Sequence, residues 1–217
     1  MSQEFFDAIR AGDRGKVEEL LAADPGLLGA KDAQGLGAYT AAKYSGRNEI
    51  AGLLIERGVE LDVFAACMAG ALERAVELIG REPELIRAYS HDGWTPLHLA
   101  CFFGHPSLAE TLIAEGAEVR ARSHNPMQNT PLHAAAAGRN KQMVRALLEH
   151  GAEVNARQEG GWTALHAASQ NGDVDMVRLL IAGGADVQIR AANQQNALDL
   201  ALTKGHPAVV ELLEAYA

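Results

Sequence analysis

Four stretches of this chain repeat one another at a nearly constant interval, and that period limits the possible folds more than any other feature. They read TPLHLACFFGH from Thr95, TPLHAAAAGRN from Thr130, TALHAASQNGD from Thr163 and, more weakly, NALDLALTKGH from Asn196, with starts 35, 33 and 33 residues apart. The first three each reach a Gly-Ala pair 21 residues after the start, at Gly116-Ala117, Gly151-Ala152 and Gly184-Ala185. The letters describe a helix, a tight turn and a second helix. Thr95, Thr130, Thr163 and Asn196 suit an N-cap, since their side-chain oxygens accept from free backbone N–H groups. Pro96 and Pro131 follow at the first helical position, where no N–H is needed. Gly104, Gly172 and Gly205 end the first helix with an expected positive φ. Apolar pairs such as Met143-Val144 with Leu147-Leu148 give the second helix its buried face. The stretch from Gly151 to Thr163 is too short for another helix pair and suits a projecting turn.

The N-terminal part carries the same plan in degenerate form. Residues 6–61 lie on residues 64–119 at a constant offset of 58, with Phe6 on Phe64, Gly12 on Gly70, Pro25 on Pro83, Gly35 on Gly93 and Gly46 on Gly104. This predicts a duplicated two-repeat module. The glycines at 12, 46, 70, 104, 138, 172 and 205 mark about seven helix pairs. One interval is short: Gly46 to Gly70 is 24 residues where the others are near 34. The projecting turn is therefore expected to be missing at residues 58–62, with Asp62 capping the next helix directly.

A 33-residue period built on Thr-Pro-Leu-His resembles the ankyrin repeat. The resemblance runs through the whole chain and implies an all-α ankyrin-repeat solenoid of about seven helix-turn-helix repeats with projecting β-turns. It is read as one domain, 1–217, degenerate over 1–94 and consensus-like over 95–217. It further implies a protein-binding module whose partner lies on the concave face, formed by the turns and the inner edges of the first helices. The contact positions carried over are those flanking the turn glycine and the two before the first-helix glycine. They are His91, Asp92, Trp94, Phe102 and Phe103 in the Thr95 repeat, and Glu159, Trp162, Gln170 and Asn171 in the Thr163 repeat. The second repeat offers Gln34, Leu36, Tyr44 and Ser45. The Thr130 repeat departs from the pattern, with two extra residues in SHNPMQN and Gly138 one place early; Met127 and His124 are expected to project there. Adjacent Phe102 and Phe103 cannot both point into a helical core. They are expected to be exposed with Trp94 at the centre of the binding surface, where the missing turn leaves the groove most open. The alternative is that the tryptophans only brace their turns and one Phe packs between repeats.

The same row of repeats argues against chemistry. His98, His133 and His166 recur at one position, which could be a metal row or a structural tie. Packed helices lie roughly 8–10 Å apart, while zinc ligands must come within about 2.1 Å of one ion, so equivalent positions cannot share a metal. Cys67 and Cys101 are likewise too far apart, at roughly 10 Å, for a disulfide. The chain has no Cys-x-x-Cys pair, Gly-x-Ser-x-Gly elbow or phosphate-cradling glycine loop with Lys. No metal, cofactor or catalytic residue is expected, and the chain reads as a non-enzyme. The net charge is −9, spread along the chain. It repels a phosphate backbone and an anionic membrane, so neither nucleic acid nor membrane is an expected partner. Two cysteines and no basic-then-apolar leader point to a soluble, cytoplasmic setting. The expected state is a monomer bound to another protein; the rival is a homo-oligomer that buries the same aromatic patch.

Overall fold

A computed structural model describes residues 1–216. Its α-helices pack as consecutive pairs: α1 (Ser2–Ala11) with α2 (Arg14–Ala23), α3 (Ala38–Tyr44) with α4 (Asn48–Glu56), α5 (Val63–Ala69) with α6 (Leu72–Arg81), α7 (Pro96–Phe103) with α8 (Pro106–Ala114), α9 (Pro131–Ala137) with α10 (Lys141–Glu149), α11 (Ala164–Gln170) with α12 (Val174–Ala182), and α13 (Ala197–Lys204) with α14 (Pro207–Glu214). The odd-numbered helices stack in series. Their buried faces carry alanine (Ala100, Ala134, Ala135, Ala136, Ala168, Ala201) beside deep leucines at Leu97, Leu99, Leu132 and Leu165. Small side chains let neighbouring backbones approach, and the leucines supply the apolar area, about 1.5–3 kcal/mol for each buried side chain. Beyond an isolated bridge, Lys31 to Gly37, no strand is formed among the described residues.

The duplicated module is visible in the backbone. Short 3-10 turns at Pro25–Gly29 and Pro83–Arg87 fall at the matched positions. Pro25 and Pro83, each at the start of its turn, fix φ there. The two copies differ at the matched phenylalanines: Phe6 is fully buried, while Phe64 is only partly covered.

Five hairpin turns project before α3, α7, α9, α11 and α13, each closed by a backbone bond: Asp32 to Leu36, Ser90 to Trp94, Ser123 to Asn129, Gln158 to Trp162 and Ala191 to Gln195. No turn precedes α5. Only residues 57–62 separate it from α4, and the Asp62 carboxylate caps it by accepting from Ala65 N–H at 2.8 Å. The row of turns thus has a gap over α5, as the 24-residue interval requires.

Cys67 and Cys101 are unbridged and fully buried. Burial pushes the Cys67 thiol up to about 12 and raises Cys101 as well. Both should react slowly with an aromatic disulfide reagent in native protein, and rapidly in denaturant. Fast labelling of either thiol without denaturant would contradict the packing described.

Candidate protein-binding face

The turns are held by a row of neutral histidines. In the Thr95 repeat, His98 Nδ1 lies 2.8 Å from Thr95 Oγ1 and accepts from Thr95 N–H at 3.4 Å, and Nε2 bonds to the carbonyl of Asn129 in the next turn at 3.1 Å. His133 and His166 repeat the arrangement, reaching the carbonyls of Trp162 and Gln195. Since Nδ1 accepts, Nε2 carries the proton. Burial lowers the pKa of all three, to about 4 for His98 and His133. The row is therefore a structural tie, each ring bound to its own carbonyl. A histidine stands only where a turn lies ahead to receive Nε2–H. At the matched position before the gap the chain has Thr40. In the last repeat it has Asp199, which accepts from Asn196 N–H at 3.0 Å without reaching forward.

Sequence reasoning missed a second tie. His105 and His206, just after a helix-ending glycine, bond back to the carbonyls of Met68 and Gln170 at 2.9 and 3.0 Å. Asn140 does the same to Cys101 and Phe102, at 3.0 Å each. The signal was present as the Gly-His pairs 104–105 and 205–206.

The aromatic residues do meet. Trp94 packs edge-to-face on Phe102 and Phe102 on Phe103, each with ring centroids 5.2 Å apart. The expectation of exposure is corrected in part: all three are partly buried and lie against the core, as the alternative of a packed Phe and a bracing Trp anticipated for some of them. At the end of α7 the two phenylalanine rings meet edge to face, a favoured geometry for an aromatic pair, and both rest against the core. Nor is the surface open at the gap. With no turn above α5, side chains from α3 reach across to the α7 repeat. Lys43 Nζ sits 4.8 Å from the Phe103 ring centroid, and Tyr44 O–H donates to Asp92 Oδ2 at 2.7 Å. Burial and the Asp92 carboxylate raise the Tyr44 pKa well above the usual phenol range. Lys43 was not singled out from sequence, because nothing in the period marks a contact between α3 and α7.

The remaining candidates extend this face along the turns. His91 is exposed; Asp92 also lies against Ser90 Oγ, and Asn125 Nδ2 donates to its carbonyl. Met127, 53% exposed, borders one open hollow with His91 and Asp92 and a second with Trp162 and Gln170. His124 projects and stacks on Tyr89 at 3.4 Å. Trp162 leans on His166 at 5.6 Å, so the tryptophans brace their turns as well as line the face. Asn171 is partly buried at the end of α11 and does not border either hollow.

The family model described as "Ankyrin repeats (3 copies)" matches residues 63–158 and 156–217. The chain belongs to the ankyrin-repeat family. Members of this family commonly mediate protein–protein interaction. The chain is similar to mouse and human "Protein phosphatase 1 regulatory subunit 27", 38% and 40% identical over 114 residues, covering 52% of this chain and 58% of each relative. It is also similar to the mouse "Oxysterol-binding protein-related protein 1", 58% identical over 33 residues, which is 15% of this chain and 4% of that protein. The matches thus span one repeat's length of one relative and little more than half of the other. No helix among the described residues is long and apolar enough to cross a membrane.

Proposed function

We propose that this protein is a non-catalytic adaptor that binds another protein on the face formed by its turns and inner helices, centred on Trp94, Phe102 and Phe103. The observation that carries this is the aromatic trio itself. It sits on the side where the turns project, partly open to solvent, flanked by Tyr44, Asp92 and Met127. Rigid aromatics half-sunk in a preformed surface are the usual energetic centre of an interface. The surface acts as a monomer in the cytoplasm, where a reducing medium suits two unpaired thiols. Two relatives carry the name of a protein phosphatase 1 regulatory subunit, so protein phosphatase 1 is the first named partner to assay.

Phe103→Ala is the test. Truncating a central aromatic costs about 2 kcal/mol or more, roughly 30-fold in affinity. Because Phe103 is partly buried, stability should fall by only about 1–2 kcal/mol. The expected result is capture of a partner by the native chain, lost in the variant, which still melts cooperatively. Unchanged capture would overturn the reading. So would light scattering that shows a dimer which the same substitution dissociates, since that assigns the patch to self-association.

A further inference from the structure

Tyr39 breaks the repeat at a place where other copies agree. Its counterparts Leu97, Leu132 and Leu165 are each at most 1% exposed. Tyr39 is 6% exposed and adds a hydroxyl to that apolar position. The next residue departs as well. Thr40 is 9% exposed and stands where His98, His133 and His166 reach forward to a carbonyl of the following turn. Before the gap there is no such turn. Thr111 and Thr203 direct their hydroxyls onto the carbonyl four residues earlier, at 2.9 and 2.7 Å. For Thr40 that carbonyl belongs to Leu36 and already accepts the turn-closing bond from Asp32. Neither the Tyr39 nor the Thr40 hydroxyl has a hydrogen-bond partner among the described residues, and neither is sealed from solvent as Ser169 Oγ is. Buried hydroxyls are ordinarily paired.

Both residues line a cleft of about 330 Å³, set between the base of the first turn and the junction that leads into α5. The cleft reaches no residue of the Ser90–Trp94 turn. Its volume lies at the small end of the roughly 300–1,000 Å³ usual for ligand pockets. Leu28, Val59, Leu61 and Leu78 give it an apolar wall. Of the charged groups around it, Arg74 holds Glu60 at 3.1 Å and the Leu61 carbonyl at 3.0 Å, and Asp62 caps α5. Lys31 also lines the cleft, and its Nζ has no partner among the described residues. Burial pushes the Tyr39 phenol up to about 12, so it stays a neutral donor. The uncommitted donors are thus two hydroxyls and one ammonium, beside an apolar wall.

We infer that this cleft binds a small monocarboxylate with a compact apolar body. The carboxylate accepts from the Tyr39 and Thr40 hydroxyls and pairs with Lys31, and the apolar body lies on the leucines and Val59. A carboxylate offers enough lone pairs for all three donors, and bonds to an ionised acceptor are the stronger kind. The charge of the ligand is limited to one. Glu60 and Asp62 also border the cleft and repel a dianion such as a phosphate monoester. The site follows from the missing turn, because an intact turn would bring a carbonyl over position 40, as Asn129 does over His98. It is independent of the adaptor reading, since neither Phe102 nor Phe103 lines it.

The probe is octanoate, titrated into the whole chain while backbone amide shifts are followed. Saturable shifts are expected at residues 28–31, 39–40 and 59–62. Tyr39→Phe keeps the ring and removes the hydroxyl, and should weaken octanoate about tenfold, the usual size for a hydrogen bond to a charged group. The same variant should keep or raise the urea midpoint, because the hydroxyl it removes is unpaired. Lys31→Gln should weaken binding and reduce its dependence on salt. Phe103→Ala should leave the titration unchanged, which separates this site from the aromatic face. No saturable shift up to about 10 mM octanoate overturns the inference. So does equal or tighter binding of octanamide, octylammonium or octyl phosphate, since each removes the preference for a single negative charge. Shifts confined to residues 94–103 would give the ligand to the aromatic face. A urea midpoint lowered by Tyr39→Phe would show that the hydroxyl is already bonded within the chain, and either result sinks the proposal.

Discussion

Gly138→Ala should destabilise the array by about 3 kcal/mol or more, although helix propensity alone predicts the opposite. Gly138 has φ −73°, an ordinary helical value, so no backbone strain follows from adding a side chain. Alanine at such a site should stabilise by about 0.5–1 kcal/mol. Packing decides otherwise. A Cβ on Gly138 would lie 2.2 Å from the Phe102 carbonyl oxygen and 2.8 Å from Asn140 Nδ2. The first of these is backbone and cannot swing aside. The second is the group that ties α10 to the carbonyls of Cys101 and Phe102. To admit one methyl, the α7 and α9 repeats must separate or lose that tie. Gly80 is the internal control: it lies within α6, and an added Cβ would meet nothing within 4 Å. Gly80→Ala should leave the urea midpoint unchanged or raise it slightly. If the two variants have equal midpoints, the close approach of the α7 and α9 repeats is wrong.

Gly138 also shows how far the letters could be read. The repeat pattern places glycine where the first helix must end with positive φ, and Gly104 and Gly205 are found there at φ 80° and 72°. In the Thr130 repeat the glycine is one place early, and the structure divides the work. Arg139 takes the left-handed position at φ 58°, and Gly138 supplies space for the neighbouring repeat. A periodic pattern reports that a glycine is needed without saying whether dihedral freedom or volume is the reason. The N-caps, the five turns, the missing sixth and the tying histidines were legible because each is a local requirement repeated at a fixed interval. The binding face was legible only as a set of positions. That Phe102 and Phe103 both lie half-sunk, or that Lys43 and Tyr44 close over α5 to meet Phe103 and Asp92, depends on how the α3 and α7 repeats lean together across the gap. That geometry has no period, and one interval of 24 residues fixes its existence but not its outcome.

Acidification should destabilise the protein from about pH 6.5 downward, before most carboxylates protonate. His98 and His133 have pKa values near 4 when folded, against about 6.5 for a free histidine, chiefly because burial disfavours the charged ring. Their folded pKa is depressed, so between the two values the unfolded chain binds more protons. The stability each contributes is complete above pH 6.5 and is lost as pH falls from there toward 4. A shift of roughly 2.5 units corresponds to about 3 kcal/mol for each residue. Together they approach the whole net stability of a typical domain, about 5–15 kcal/mol. His166 is shifted in the same direction and adds to the loss. The structural reason is that Nδ1 must accept from the threonine N–H. A proton placed there breaks the tie at the base of the turn and leaves a charge in an apolar site. Because each repeat leans mainly on its neighbours, loss of ties in three successive repeats should melt residues 95–196 before the α1–α4 pairs. The α1–α4 segment has no histidine of this kind. The measurement is a urea midpoint at pH 7 and again at pH 4.5, with amide exchange to locate the first region lost. An unchanged midpoint, or earliest exchange in α1–α4, would show that the histidines do not carry the stability of the turn row.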